Sequence, residues 1–377
     1  MLVTIITPTP DDISAFGVRS LSSYLKGFGY KTRIIFLPGS IKKSDPQGKY
    51  MYQYSTRTLD EVSDLVKGSC LIGISFMTYY FDRAVQLTKV LKQQCKTPII
   101  WGGIHATVRP KEALKYADMV CVGEGEETLL ELARKIENGE NYFQVKNLWL
   151  KENGHIIKNS LRPLIKDLDS LPFFDYSLEE HYCFDYARGH IREIDDALFQ
   201  ELLPVRPDLD GNFRVCYRTM TDRGCPHKCT YCSISIQKEL YEGEGFFRKR
   251  KVDGVIEELR CILNRFPFVK TIQFFDDTFF ARNTAEIEKF SALYKQHVGL
   301  PFHAQCSPRT ITERKLQSLV DAGLIFTEMG IQTGSMRIKA LYNRTESNAE
   351  TIEAARIIHK YKNKLLPPDY HVILNNP

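Results

Sequence analysis

The sequence predicts an α/β protein in two parts, a doubly wound parallel sheet followed by a partial (β/α) barrel. Over the first 140 residues short β-branched runs alternate with longer helical patterns, as in parallel βαβ units. The alternation then lapses and resumes at Val215. A chain of 377 residues also exceeds one typical domain. With 43% hydrophobic and 26% charged residues it can bury a sizeable core, which excludes global disorder. A net charge of +5 gives no electrostatic case for nucleic acid or an anionic membrane as main partner.

Strands are expected at Leu2 to Thr7, Thr32 to Leu37, Leu71 to Phe76, Ile99 to Trp101 and Met119 to Val122. Helical patterns separate them at Gly17 to Phe28, Thr58 to Val66, Asp82 to Gln94, Pro110 to Tyr116 and Glu126 to Glu137. Such a sheet binds ligands at the carboxyl ends of its strands, so the loops from Pro8, Met77, Gly102 and Gly123 are the ones to watch. Residues 141–214 read as linker and insertion between a first domain at 1–140 and a core at 215–377. In that core, strands are expected at Val215 to Met220, Thr271 to Phe275, Phe302 to Cys306, Phe326 to Ile331 and Tyr370 to Leu374. A closed eight-stranded barrel needs at least about 200 residues, so this core is expected to be incomplete at its carboxyl end. No apolar run approaches the roughly 20 residues of a membrane span, and the amino terminus lacks a basic n-region. A cytoplasmic location is expected.

Three of the ten cysteines crowd into Cys225-Pro226-His227-Lys228-Cys229-Thr230-Tyr231-Cys232, on the loop after a predicted strand. Three thiolates at this spacing can hold a cubane cluster and leave one iron without a protein ligand. A closed zinc site would need His227 as fourth ligand from inside the same tight loop.

The C-x3-C-x2-C spacing, with an aromatic before the last cysteine, resembles the radical S-adenosylmethionine (SAM) enzymes. Arg223-Gly224-Cys225-Pro226, Phe274-Phe275-Asp276-Asp277-Thr278-Phe279, the Arg309 stretch and Gly330-Ile331-Gln332-Thr333-Gly334-Ser335 extend the resemblance to the cobalamin-binding branch. It implies a cobalamin-binding, Rossmann-like first domain and a TIM-type radical SAM barrel. It also implies that Cys225, Cys229 and Cys232 hold a [4Fe–4S] cluster whose fourth iron chelates SAM. On the same resemblance Tyr231 lies near the adenine, Asp276 and Asp277 stand where relatives place the backbone and carboxylate that receive the methionine amine, and Arg309 pairs with the methionine carboxylate. Gln332 stands where many relatives carry Glu, and can still bond ribose hydroxyls. Asn375-Asn376-Pro377 resembles a strand end that contacts adenine.

In the first domain, Asp12-Ile13-Ser14-Ala15-Phe16-Gly17 resembles the Asp-x-His-x-x-Gly cobalamin signature, with Ser14 in place of the histidine that ligates cobalt from below. Gly102-Gly103-Ile104-His105 and Gly123-Glu124-Gly125-Glu126 resemble the branch's remaining loops, the glycines admitting a bulky ligand and Glu126 opening a helix. His105 is expected as either a loop imidazole near the cofactor tail or a structural histidine. The implied activity is reductive cleavage of SAM to a 5′-deoxyadenosyl radical, with cobalamin delivering a methyl group to an unactivated carbon. The implied partners are a small-molecule or peptide substrate and an external one-electron reductant of the flavodoxin or ferredoxin class. A cobalamin-independent radical SAM enzyme and a non-catalytic iron–sulfur protein are the alternatives.

Overall fold

The computed structural model describes residues 1–8, 13–38, 40–44 and 50–375. The chain divides into two compact units, residues 1–164 with 171–202 and residues 165–170 with 203–377.

In the first unit, β1 (Leu2–Pro8), β2 (Lys31–Leu37), the hairpin strands β3 (Ile41–Ser44) and β4 (Tyr50–Gln53), β5 (Ser69–Ser75), β6 (Ile99–Gly102) and β7 (Met119–Cys121) alternate with helices. The helices are α1 (Phe16–Gly27), α2 (Thr56–Leu65), α3 (Phe81–Gln94), α4 (Gly103–Val108), α5 (Pro110–Ala113) and α6 (Glu126–Glu137). The five predicted strands pair in parallel in the order β2-β1-β5-β6-β7. The order reverses between β1 and β5, which places the ligand crevice of such a sheet at their carboxyl ends. Both faces are covered, so the strands read as apolar runs, and Trp101 is fully buried with its indole N–H donating to Thr88 Oγ1 at 2.8 Å.

The stretch expected as linker and insertion contributes regular structure instead. Strands β8 (Leu148–Glu152) and β9 (His155–Lys158) extend the sheet beyond β7, while β10 (His181–Asp185) and β11 (His190–Glu193) extend it beyond β2 to nine strands. These strands are four or five residues long and carry charges, so their alternation is too brief to stand out in the sequence. Buried Arg19 ties this stretch to α1, donating to the carbonyls of Ile13 and Asp175 and lying 3.9 Å from the Tyr176 ring centroid. Helix α7 (Asp196–Leu202) closes the unit.

The second unit is built on β12 (Val205–Pro207), β13 (Phe213–Thr219), the short pair β14 (Asp222–Arg223) and β15 (Arg248–Lys249), β16 (Thr271–Phe274), β17 (Phe302–Cys306), β18 (Leu324–Gln332) and β19 (Asp369–Val372). Six of these form one half-barrel sheet, β12-β13-β16-β17-β18-β19, parallel except for β12. Helices α8 (Ser233–Leu240), α9 (Val252–Arg265), α10 (Thr284–His297), α11 (Glu313–Ala322), α12 (Met336–Leu341) and α13 (Asn348–His359) connect them. Alternate strand residues turn to these helices. Tyr217 and Thr219 donate to Glu258 of α9, and Phe274 and Phe302 pack on Phe290 and Tyr294 of α10. No helix among the described residues is long and apolar enough to cross a membrane.

Candidate active site

The cysteine loop is aimed by a buried polar anchor. Asp276, at the end of β16, is fully buried and accepts the Thr221 amide at 2.6 Å, the Thr221 hydroxyl at 2.8 Å and the Asp222 amide at 2.8 Å. Arg282, 2% exposed, donates to Asp222 Oδ1 at 2.5 Å and to the Thr221 carbonyl at 3.2 Å. Burial pushes both carboxyls up, and the Arg282 guanidinium opposes it. Gly224 follows at φ +85°, and a Cβ there would lie 2.6 Å from the Phe246 carbonyl, so the turn into Cys225 requires glycine. Beyond it, Lys238 Nζ donates to the carbonyls of Pro226 and His227, Thr230 Oγ1 to the Leu341 carbonyl and Asn343 Nδ2 to the Lys228 carbonyl.

Cys225, Cys229 and Cys232 line one open cleft at the carboxyl ends of the half-barrel strands. Asp277, Gln305, Glu328, Gln332, Arg344 and His371 share its lining, as does Cys306 on β17, whose thiol is pushed up to about 12 by burial. Burial raises the Cys225 and Cys232 thiols and the Asp277 carboxyl. Among the described residues no three His, Cys, Asp or Glu side chains gather closely enough for a single metal ion. The three loop thiols face one shared cleft, where they can together hold a multi-iron cluster. His227, the fourth ligand of the zinc alternative, shares a 3.0 Å hydrogen bond through Nε2 with Ser307 Oγ.

Of the other residues expected from sequence, the structure brings Tyr231, Asp277 and Gln332 to this cleft. Gln332 has φ +66°, a left-handed backbone that turns the strand end. The Asp276 side chain belongs to the anchor and does not line the cleft, which corrects any assignment of its carboxylate to the methionine amine. Arg309 is also corrected: its guanidinium is exposed and bonded to Glu350 at 2.9 Å and to the Thr345 carbonyl at 2.7 Å. The guanidinium in the cleft is that of Arg344, which donates to the Gly330 carbonyl at 2.8 Å, to Tyr231 Oη at 3.2 Å and to Cys229 Sγ at 3.8 Å, and pairs with Glu346. Sequence reasoning missed it because only the turn after α12 returns the chain to the cysteine loop.

In the first unit, Gly102, and Gly17 at the start of α1, leave open space where a side chain would project. Gly103, at φ +86°, would place a Cβ 2.8 Å from the Phe76 carbonyl. Met77 and Tyr79, after β5, are exposed and add apolar surface at the crevice. The open space at Gly17 and Gly102 leaves room for a bulky, flat cofactor. Ser14 is buried and its carbonyl accepts Arg19 Nε at 3.1 Å. Residues 103–108, expected as loop, form α4, and His105 within it is 1% exposed between the rings of Phe76 and Phe81. Its Nδ1 shares a 3.2 Å hydrogen bond with Thr78 Oγ1, while its Nε2 has no hydrogen-bond partner among the described residues. Gly123 donates its amide to Thr107 Oγ1, the Glu124 carbonyl accepts Asn147 Nδ2, and a Cβ on Gly125 would meet Leu21 at 3.1 Å. Buried Glu126 accepts Ser20 Oγ at 2.7 Å and clasps α6 to α1. Asp12, Asn376 and Pro377 lie outside the described residues.

Residues 2–133 match the B12 binding domain and residues 221–367 the radical SAM superfamily. The chain is a B12-binding-domain-containing radical SAM protein. The cofactors of this family are a [4Fe–4S] cluster, SAM and cobalamin. This radical SAM protein is 27% identical over 312 residues to an uncharacterized methyltransferase of Pyrococcus horikoshii, covering 81% of the present chain and 61% of that one. It is 25% identical over 276 residues to the anaerobic magnesium-protoporphyrin IX monomethyl ester cyclase of Cereibacter sphaeroides, covering 69% and 39%. The chain therefore spans less than two thirds of either relative. Among solved structures, the radical SAM methyltransferase TsrM of Kitasatospora setae, with cobalamin and a [4Fe–4S] cluster bound, aligns at TM-score 0.73 and 13% identity over all of this chain and 70% of that one. The cobalamin-dependent radical enzyme OxsB aligns at 0.72 and 15%, over 98% and 48%. At these identities the two likenesses carry the fold.

Proposed function

We propose that the protein cleaves SAM reductively and transfers a methyl group to an unactivated carbon of a small-molecule or peptide substrate. The observation that carries this reading is the convergence of three cysteines, Asp277, Gln332 and Arg344 on one cleft at the strand ends of a half-barrel. Cys225, Cys229 and Cys232 would hold the cluster. Its chemistry, fed by an external one-electron reductant, is to split the sulfonium of SAM into methionine and a 5′-deoxyadenosyl radical. Asp277 offers a carboxylate to the methionine amine, and Arg344 takes the methionine carboxylate in place of Arg309. Gln332 serves the ribose hydroxyls and Tyr231 flanks the adenine. Residues 1–140 would carry cobalamin as methyl donor to the substrate carbon, whose hydrogen leaves with the 5′-deoxyadenosyl radical as 5′-deoxyadenosine. The curated relatives include both methyltransferases and cyclases, and we choose methylation on the first of them.

The test is anaerobic reconstitution with iron, sulfide and cobalamin, followed by dithionite and methyl-labelled SAM. Deoxyadenosine release together with corrin absorbance is the expected result. Deoxyadenosine without corrin binding selects the cobalamin-independent alternative, and a full cluster with bound SAM but no cleavage overturns the enzymatic reading.

A further inference from the structure

The inner face of the half-barrel carries charge where barrel interiors are usually filled by branched aliphatic side chains. Arg206 on β12 and Arg214 on β13 are directly opposed, so they share a face, and like charges so placed cost stability. Arg218 lies four residues further along β13 and so on the same face. Its Nε donates to Gln273 Oε1 at 2.9 Å, the residue paired with it on β16, and Gln273 is paired in turn with His303 on β17. Tyr217, Thr219, Phe274 and Phe302 turn to the helices on the other face, so the arginine row lies on the concave side.

His303 is an independent observation. It is 2% exposed, and neither ring nitrogen has a hydrogen-bond partner among the described residues. An imidazole has a donor or acceptor at each nitrogen, and buried polar atoms are normally satisfied by protein, water or ligand. Apolar ring surface lies alongside: Phe326 is 5.1 Å from His303 between centroids, and Phe275, 38% exposed, carries the Arg218 guanidinium 5.1 Å above its ring.

We propose that this face binds the carboxylate of a substrate with an apolar, ring-like body. Arg206, Arg214 and Arg218 take the carboxylate, Arg214 sharing its charge with Asp208 at 2.8 Å. His303 supplies a neutral N–H, and Phe275 and Phe326 receive the body. In the function proposed above SAM fills the cysteine cleft, and the basic row is left for the substrate's carboxylate. The assignment to a substrate rests on the function proposed above, but binding at this face needs neither cluster nor SAM.

The test is calorimetric titration of the full chain at low ionic strength with benzoate and with its neutral isostere benzamide. Wild type is compared with Arg206→Gln, Arg218→Gln and, as control, Arg260→Gln on the exposed side of α9. Benzoate is expected to saturate and to bind about tenfold tighter than benzamide, as charge-assisted bonds to guanidinium allow. Either inner-face substitution should erase most of that preference, and Arg260→Gln should keep it. Equal binding of the two probes by wild type, or full preference retained in both inner-face variants, overturns the proposal. Benzoate preference in a chain that takes up no iron would overturn the functional reading and leave this site standing, so the two fail separately.

Discussion

Asp276 holds Thr221 twice, through the amide at 2.6 Å and the hydroxyl at 2.8 Å, and so fixes the start of the cysteine loop to the end of β16. Asp276→Ala removes three acceptor contacts from a site without solvent. Buried donors left unsatisfied cost about 1–3 kcal/mol each, so a loss of about 3 kcal/mol or more is expected in urea unfolding. Iron per chain after anaerobic reconstitution should fall with it. Asp276→Asn, which keeps an acceptor, should lose less of both. Wild-type iron content in the alanine variant would contradict the anchor.

Each of Cys225→Ala, Cys229→Ala and Cys232→Ala should abolish the cluster absorbance, because these three thiols sit together on one short loop at the cleft. Substituting Cys70, Cys95 or Cys261, which lie elsewhere, should not. Stoichiometric zinc without iron in protein isolated under strict anaerobiosis would refute the cluster.

Two arginines separate the expectation from sequence and the arrangement in space. Arg344 faces the cleft, whereas Arg309 is engaged by Glu350 and Thr345. Hydrogen bonds to charged groups contribute about 1.5–3 kcal/mol, so Arg344→Met should weaken SAM binding by about tenfold or more. Arg309→Met should leave it within about twofold, since exposed pairs contribute little. Equilibrium dialysis with labelled SAM reads both, and the reverse ranking would restore Arg309.

Cobalamin in the first unit should lack a protein imidazole beneath cobalt. Ser14 replaces the expected histidine and is buried, and His105 is enclosed by Phe76 and Phe81. The Co(II) electron paramagnetic resonance spectrum should show no axial nitrogen splitting from the protein. Clear splitting would direct attention to His105, with His105→Phe as the deciding variant.

The elements legible in the sequence were those with long apolar periods: the five strands of the first sheet, and Val215 to Met220 through Phe326 to Ile331 in the second. Strands β8 to β11 were hidden because a four-residue strand at a sheet margin shows no period beyond its own length. At the site, the cysteines were readable because their spacing alone states their chemistry. Asp276 and Asp277 were not separable, since adjacent residues on an extended chain point to opposite sides and only the fold decides which side is the cleft. Arg344 was invisible for a related reason: its meaning comes from contacts to Gly330, Tyr231 and Cys229, none of which is local in sequence.

The buried imidazole of His303 makes the second unit sensitive to acid. Burial, helped by the Arg206 charge, lowers its pKa to about 4, whereas an unfolded histidine titrates near about 6.5. Between these values the unfolded chain binds a proton that the folded chain refuses, so stability falls as pH falls through that window. From pH 7 to pH 5 the loss should be on the order of 2 kcal/mol from this residue. In the first unit, burial likewise lowers His181, against the pull of Asp175, and adds a loss in the same direction. Burial raises the Asp175 carboxyl, but the hydrogen bond and charge of His181, with Lys26 and Ser22, hold it far below the usual carboxylate range. Protonating it removes further stability at lower pH. Urea midpoints at pH 7 and pH 5 for wild type and His303→Gln test the argument, with tryptophan fluorescence following the first unit and far-ultraviolet circular dichroism following both. The variant should lose the His303 part of the pH slope and keep the rest. An unchanged slope in His303→Gln would show that His303 titrates alike in the folded and the unfolded chain.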